Sequence, residues 1–180
     1  MRTFSVPTHD EVSPASQLLF DILKRRSGKV PNLYAVMGYS SSALKGFMNL
    51  DEALNDGIFT PKEREAVALV VSEVNGCDYC LAGHTILAIK RGFTKEETLY
   101  IRRGEVAEPR LNAIVQLAKA VTETRGRPAD KYLNNFYDAG FDDGALMELV
   151  GLVTVRIFTN YVFALTNVPI DFPVAEPLIK

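Results

Sequence analysis

Cys77 and Cys80 are the only cysteines in a chain of 180 residues, and His84 follows four residues later. Steps of three and four residues each bring a helix roughly once round, so a helix starting near Cys77 would line all three on one face. Thiols and an imidazole in that arrangement suit nucleophilic or redox chemistry. Cys77 would feel the positive end of the helix dipole, which lowers a thiol pKa. His84 would stand one turn beyond Cys80, placed to take or return its proton near neutral pH. Two thiols three residues apart can also close a disulfide, so an oxidised sulfur can be resolved within the chain. Two other readings use the same residues. A zinc site would have three ligands and no evident fourth, since His9 lies far upstream. The cysteines would otherwise be a buried pair without chemistry.

Two carboxylates compete for a role beside the thiols. Glu65 opens the run Glu65-Ala66-Val67-Ala68-Leu69-Val70-Val71, where a carboxylate is costly to bury without a partner. Burial raises a carboxyl pKa and suits the group to hand protons on. Glu73, eight residues later on nearly the same helical face, is the rival. Tyr79, between the cysteines, has a hydroxyl for a substrate, or serves as a core or interface aromatic. His9 reads as a surface residue of the tail.

The elements that must position these groups all read as helices. Ser13-Pro14 supplies an N-cap and a proline at the first helical position, and Gly28 stops the run behind it. Residues 32–55 predict one or two helices, punctuated by Gly38 and the serines at 40–42. Thr60-Pro61-Lys62-Glu63 is a capping box opening a helix apolar nearly all round, which predicts burial. Asn75-Gly76 breaks it, and the helix carrying the cysteines runs from about Asp78 to Arg91. A second capping box at Thr94-Lys95-Glu96-Glu97 opens a short helix to about Arg103. Pro109 starts another, and a further one spans about 130–139. The stretch 149–155 is rich in β-branched residues. The recurrence of Leu146, Leu149, Val150, Val153, Ile157 and Tyr161 nevertheless predicts a helix over about 143–166. The expected fold is all-α, one helical domain of about seven to nine helices over 1–180. It has an N-terminal helical extension at about 1–56 and a redox core at about 54–97.

Composition narrows the function. Apolar residues make up 47% and charged residues 23%, so a packed core is expected rather than disorder. A net charge of -2 with scattered Lys and Arg gives no nucleic-acid footprint, and Lys24-Arg25-Arg26 reads as a solvated helix end. No unbroken apolar run approaches the roughly 18 residues of a membrane span, and the N-terminus lacks an apolar signal segment. A reducing cytoplasm is the expected setting, where a Cys-x-x-Cys is more often catalytic, redox or metal-binding than structural.

Glu65, eleven intervening residues, Cys77-x-x-Cys80, three more and His84 resemble the signature of the alkyl hydroperoxidase D family, in the carboxymuconolactone decarboxylase superfamily. The flanking Arg64-Glu65-Ala66-Val67 and Asn75-Gly76-Cys77-Asp78-Tyr79-Cys80 are similar too, and the likeness is strongest over about 54–97. The resemblance implies an AhpD-like all-α fold and obligate homo-oligomers, often trimers or hexamers. It implies reduction of hydroperoxides or disulfides, with no bound cofactor and an external dithiol, such as a lipoyl group or a thioredoxin-like protein, as reductant. Carried over, Cys80 attacks and Cys77 resolves, with Glu65 and His84 in the proton relay. The helix dipole favours Cys77 instead; only Cys80 is one turn from His84, and a base in contact outweighs a partial charge. Tyr79 stands where well-known members carry histidine, which removes one proton carrier. The decarboxylase branch generally lacks the cysteine pair, which argues against lactone decarboxylation.

Overall fold

The computed structural model describes residues 4–178, and among them there are nine α-helices and no strand. A short 3-10 turn at His9–Glu11 precedes α1 (Pro14–Ser27), α2 (Asn32–Met37) and α3 (Ser41–Asn55). The helical hairpin α4 (Pro61–Val74) and α5 (Asp78–Lys90) follows, then α6 (Lys95–Arg103), α7 (Pro109–Thr124), α8 (Asp130–Asp138) and α9 (Asp143–Thr166). The expected start signals operate as physical caps. Ser13 Oγ accepts from Ser16 N, and both Thr60-Glu63 and Thr94-Glu97 close full capping boxes. Gly28 ends α1 at φ +81°, a conformation that costs a residue with a Cβ. The turn at His9–Glu11, closed by Thr8 and Glu11, lies outside the expected elements, since three residues carry no periodicity.

α4 is the central element, packed by α5, α6, α7 and α9. That surrounding explains an apolar sequence on nearly every side: Ala66, Val67, Ala68, Leu69, Val70 and Val71 are all buried. α9 lies against α3, α4 and α7. By length and composition alone it would suffice for a membrane span, although Glu148 and Arg156 interrupt its apolar run, in line with the sequence expectation. Part of that apolarity is core: Leu149, Leu152, Val153 and Val155 are buried, in line with the helical reading of 149–155. Leu149→Ala is expected to cost about 2–5 kcal/mol, the range for emptying a tightly packed site. A lower urea midpoint with an unchanged slope is the measurement that checks it.

The chain before α4 forms a second apolar cluster through Phe20, Leu23, Leu44 and Phe47, closed by Val155 of α9. A third gathers Leu33, Val36 and Val168 around Cys77, Tyr79 and Cys80. The N-terminal helices thus form part of the surroundings of the cysteines.

Candidate active site

The turn between α4 and α5 is held from several sides. Gly76 takes φ +62°, and Cys77 N donates to Ser72 O at 2.9 Å. Buried Asn160 of α9 accepts from Asn75 Nδ2 at 2.9 Å and donates to Ser72 Oγ at 3.3 Å. The turn delivers Cys77 as the N-cap of α5, where its sulfur accepts from Cys80 N at 3.3 Å. This is the placement at the positive helix end that the sequence suggested.

Cys77 and Cys80 are joined as a disulfide, with their Cα atoms 5.3 Å apart. The two sulfurs have different surroundings. Cys77 is sealed at 1% exposure, whereas Cys80 lines a cavity of about 730 Å³ together with His84. Thr159 Oγ1 lies 3.9 Å from Cys80 Sγ and donates to Arg156 O. No hydrogen bond joins His84 to Cys80 in this disulfide state. A disulfide sulfur has no proton to exchange with the imidazole.

Glu65 reaches across the hairpin, its Oε2 2.8 Å from His84 Nδ1, both side chains only 15% exposed. With Glu65 ionised, Nδ1 carries the proton and Nε2 is left as the basic nitrogen. Glu73 points elsewhere: buried Arg102 donates to it from Nε at 2.7 Å. Of the two candidate carboxylates, Glu65 is the one beside the histidine. His9 lies at the surface near Asp10 and Asp21, remote from this network.

Tyr79 is buried, and its hydroxyl is already taken. It donates to Asp171 Oδ1 at 2.5 Å and accepts from Leu33 N at 3.2 Å. The ring packs against Phe163 and edge-on to Phe172. The substrate-donor expectation therefore meets a hydroxyl bound within the protein, tying the C-terminal segment to the turn of α5. Burial, and then the bond to Asp171, push the phenol pKa upward and keep the donor protonated. Burial opposes ionisation of Asp171, but Lys29 and Tyr79 overcome it and hold the carboxyl below its ordinary 3.8. A lowered carboxyl pKa stabilises the fold above the unfolded value, and the contribution drains away as pH falls through the folded one. Tyr79→Phe leaves Leu33 N–H and Asp171 without this partner and is expected to cost about 1–3 kcal/mol. Faster hydrogen exchange along 168–178 at neutral pH, with little difference left once Asp171 is protonated, checks it.

Several polar residues of the cavity lie outside the sequence expectations. Arg156 and Thr159 reach it from α9 and Asp51 from α3. Arg156 had a legible signal, as the only charge between Glu148 and the end of α9. Asp51 and Thr159 had none. Tyr34 also lines the cavity, and burial pushes its hydroxyl up to about 12. Among the described residues no group of three or more His, Cys, Asp and Glu is arranged to hold a metal.

Residues 42–123, from α3 through α7, match the model of the carboxymuconolactone decarboxylase family. No curated protein matches the chain by sequence. Solved structures share the fold over most of its length. A peroxidase-related protein from Silicibacter sp. superposes with TM-score 0.78 at 21% identity, covering 96% of this chain and 91% of its own. An alkylhydroperoxidase AhpD core protein from Ralstonia eutropha gives 0.79 at 18%, covering 90% and 88%. A debrominase in complex with 2,3,4-tribromopyrrole gives 0.79 at 16%, covering 95% and 93%.

Proposed function

We propose that the chain, which matches the carboxymuconolactone decarboxylase family model over residues 42–123 and shares the fold of an AhpD core protein, is a thiol-dependent peroxidase that reduces hydroperoxides through Cys80 and Cys77. The observation that carries the reading is the asymmetry of the pair. Cys80 lines the cavity that His84 also lines, while Cys77 is bonded behind it and closed to solvent.

In the reduced protein His84 accepts the Cys80 proton, and Glu65 holds the resulting imidazolium. The thiolate attacks the distal oxygen of the hydroperoxide; an S–O bond forms and the O–O bond breaks. The departing alkoxide takes the proton back from His84 and leaves as an alcohol. The Cys77 sulfur then attacks the sulfenic sulfur of Cys80, forming the disulfide and expelling hydroxide, which leaves as water with the Cys77 proton. An external dithiol, a lipoyl group or a thioredoxin-like protein, reduces the disulfide, and without peroxide the same pair would serve as a disulfide reductase. The exposed Met147, Tyr161 and Leu165 on the outer face of α9 support a homo-oligomer. A reducing cytoplasm suits the chemistry.

The test is a titration of fully reduced protein with an alkyl hydroperoxide. The peroxidase reading expects one peroxide consumed for each two thiols lost, and repeated turnover once a dithiol is added. A disulfide that forms and changes the oligomer size without catalytic consumption would support redox sensing instead. Debromination of 2,3,4-tribromopyrrole with no peroxide turnover would replace the peroxide as substrate.

A further inference from the structure

Arg156 is 8% exposed and lies in a stretch of α9 that is otherwise uncharged. Its Nη2 donates to Asp51 Oδ1 at 2.5 Å, a single contact on a guanidinium with five N–H groups. Its Nε is buried with no acceptor among the described residues. A buried charged donor without a partner costs free energy until an acceptor arrives, and Arg is suited to accept a second carboxylate in bidentate fashion.

The charge of the cavity points the same way. Arg26, Lys29, Lys90 and Arg156 line it against one carboxylate, Asp51, in a chain whose formal net charge is -2. Two of these cations are balanced by groups outside the lining, Arg26 by Glu52 at 2.8 Å and Lys29 by Asp171 at 2.7 Å. Lys90 has no ion pair among the described residues, and Arg156 keeps donors to spare. The remaining walls are largely apolar, with Leu33, Phe47, Met48, Ile86 and Phe172 among them. Thr159 links the two ends of the site, bonded to the Arg156 carbonyl and in contact with Cys80 Sγ.

We propose that this cavity binds an amphipathic monocarboxylate, the free donors of Arg156 taking the carboxylate and the apolar walls the hydrocarbon body. The assignment rests on the peroxidase reading in one respect: the hydroperoxide reduced at Cys80 is then a carboxylic acid rather than a neutral alkyl peroxide.

The test avoids turnover, so that its failure is separate from that of the peroxidase reading. The oxidised, disulfide-bonded protein is titrated calorimetrically with octanoate and with octan-1-ol. Octanoate is expected to bind about tenfold or more tighter, the size of effect one charge-assisted hydrogen bond supplies. Arg156→Gln should bring the two ligands within about twofold. Asp51→Asn, which keeps the guanidinium and removes its competing anion, should strengthen octanoate binding. Equal affinities in the unmodified protein, no octanoate binding, or a preference that survives Arg156→Gln would overturn the proposal. So would weaker octanoate binding by Asp51→Asn.

Discussion

Cys80→Ser is expected to reduce hydroperoxide turnover by roughly a thousandfold or more, because the hydroxyl that replaces the thiol is not ionised near neutral pH and cannot be oxidised at sulfur. Folding should survive. Cys80 is 5% exposed, and serine is slightly smaller with a polar group facing the cavity and Thr159. Cys77→Ser should behave differently under the same assay. Its cavity-lining partner keeps the ability to attack, so a first oxidation proceeds at close to the normal rate while recycling by a dithiol slows. That contrast separates attacker from resolver. Peroxide consumption in single-turnover and steady-state modes reads it, and equal defects in both phases for both variants would remove the distinction between the sulfurs.

Glu65→Gln is the second large effect. The amide fills the same space and still accepts from His84 Nδ1, but it no longer offers a negative charge to an imidazolium. A positioned acid-base pair contributes about 10²–10⁴-fold, and loss of the orienting carboxylate is expected to take about a hundredfold or more from kcat/KM. Glu73→Gln provides the control. Glu73 is bonded to Arg102, which is 4% exposed, and not to the thiol cavity. Its replacement leaves a buried guanidinium without its anion and is expected to cost about 3–5 kcal/mol, with turnover per folded molecule unchanged. A thermal melt set beside a peroxide assay distinguishes the two carboxylates. Inactivation by Glu73→Gln with Glu65→Gln active would reverse their roles.

The helices were legible because their boundaries are written in local chemistry. Ser13, Thr60 and Thr94 cap backbone N–H groups a few residues away, so a short window of sequence holds the whole interaction. The core role of α4 was legible for a related reason, since apolar residues on all sides leave a helix no face for water. The carboxylate beside His84 was harder. Glu65 and Glu73 lie on nearly the same face, and what separates them is Arg102 of α6, brought against Glu73 by packing. The anchor of Tyr79 is Asp171, 92 residues away in a segment without periodicity. Such contacts depend on how helices cross rather than on what each helix contains. Arg156 is the instructive miss. Like Glu65 it is a charge in an apolar helix, and it lines the cavity that His84 also lines.

The most direct measurement of the central claim is the site of first oxidation. Reduced Cys77→Ser protein is treated with one equivalent of alkyl hydroperoxide in the presence of a cyclic dione that traps sulfenic acid, then digested and analysed by mass spectrometry. The account predicts a dione adduct on Cys80 at near-stoichiometric yield, and no adduct on Cys77 in the matching Cys80→Ser protein. An adduct on Cys77 in Cys80→Ser, with Cys80 unmodified in Cys77→Ser, would contradict it.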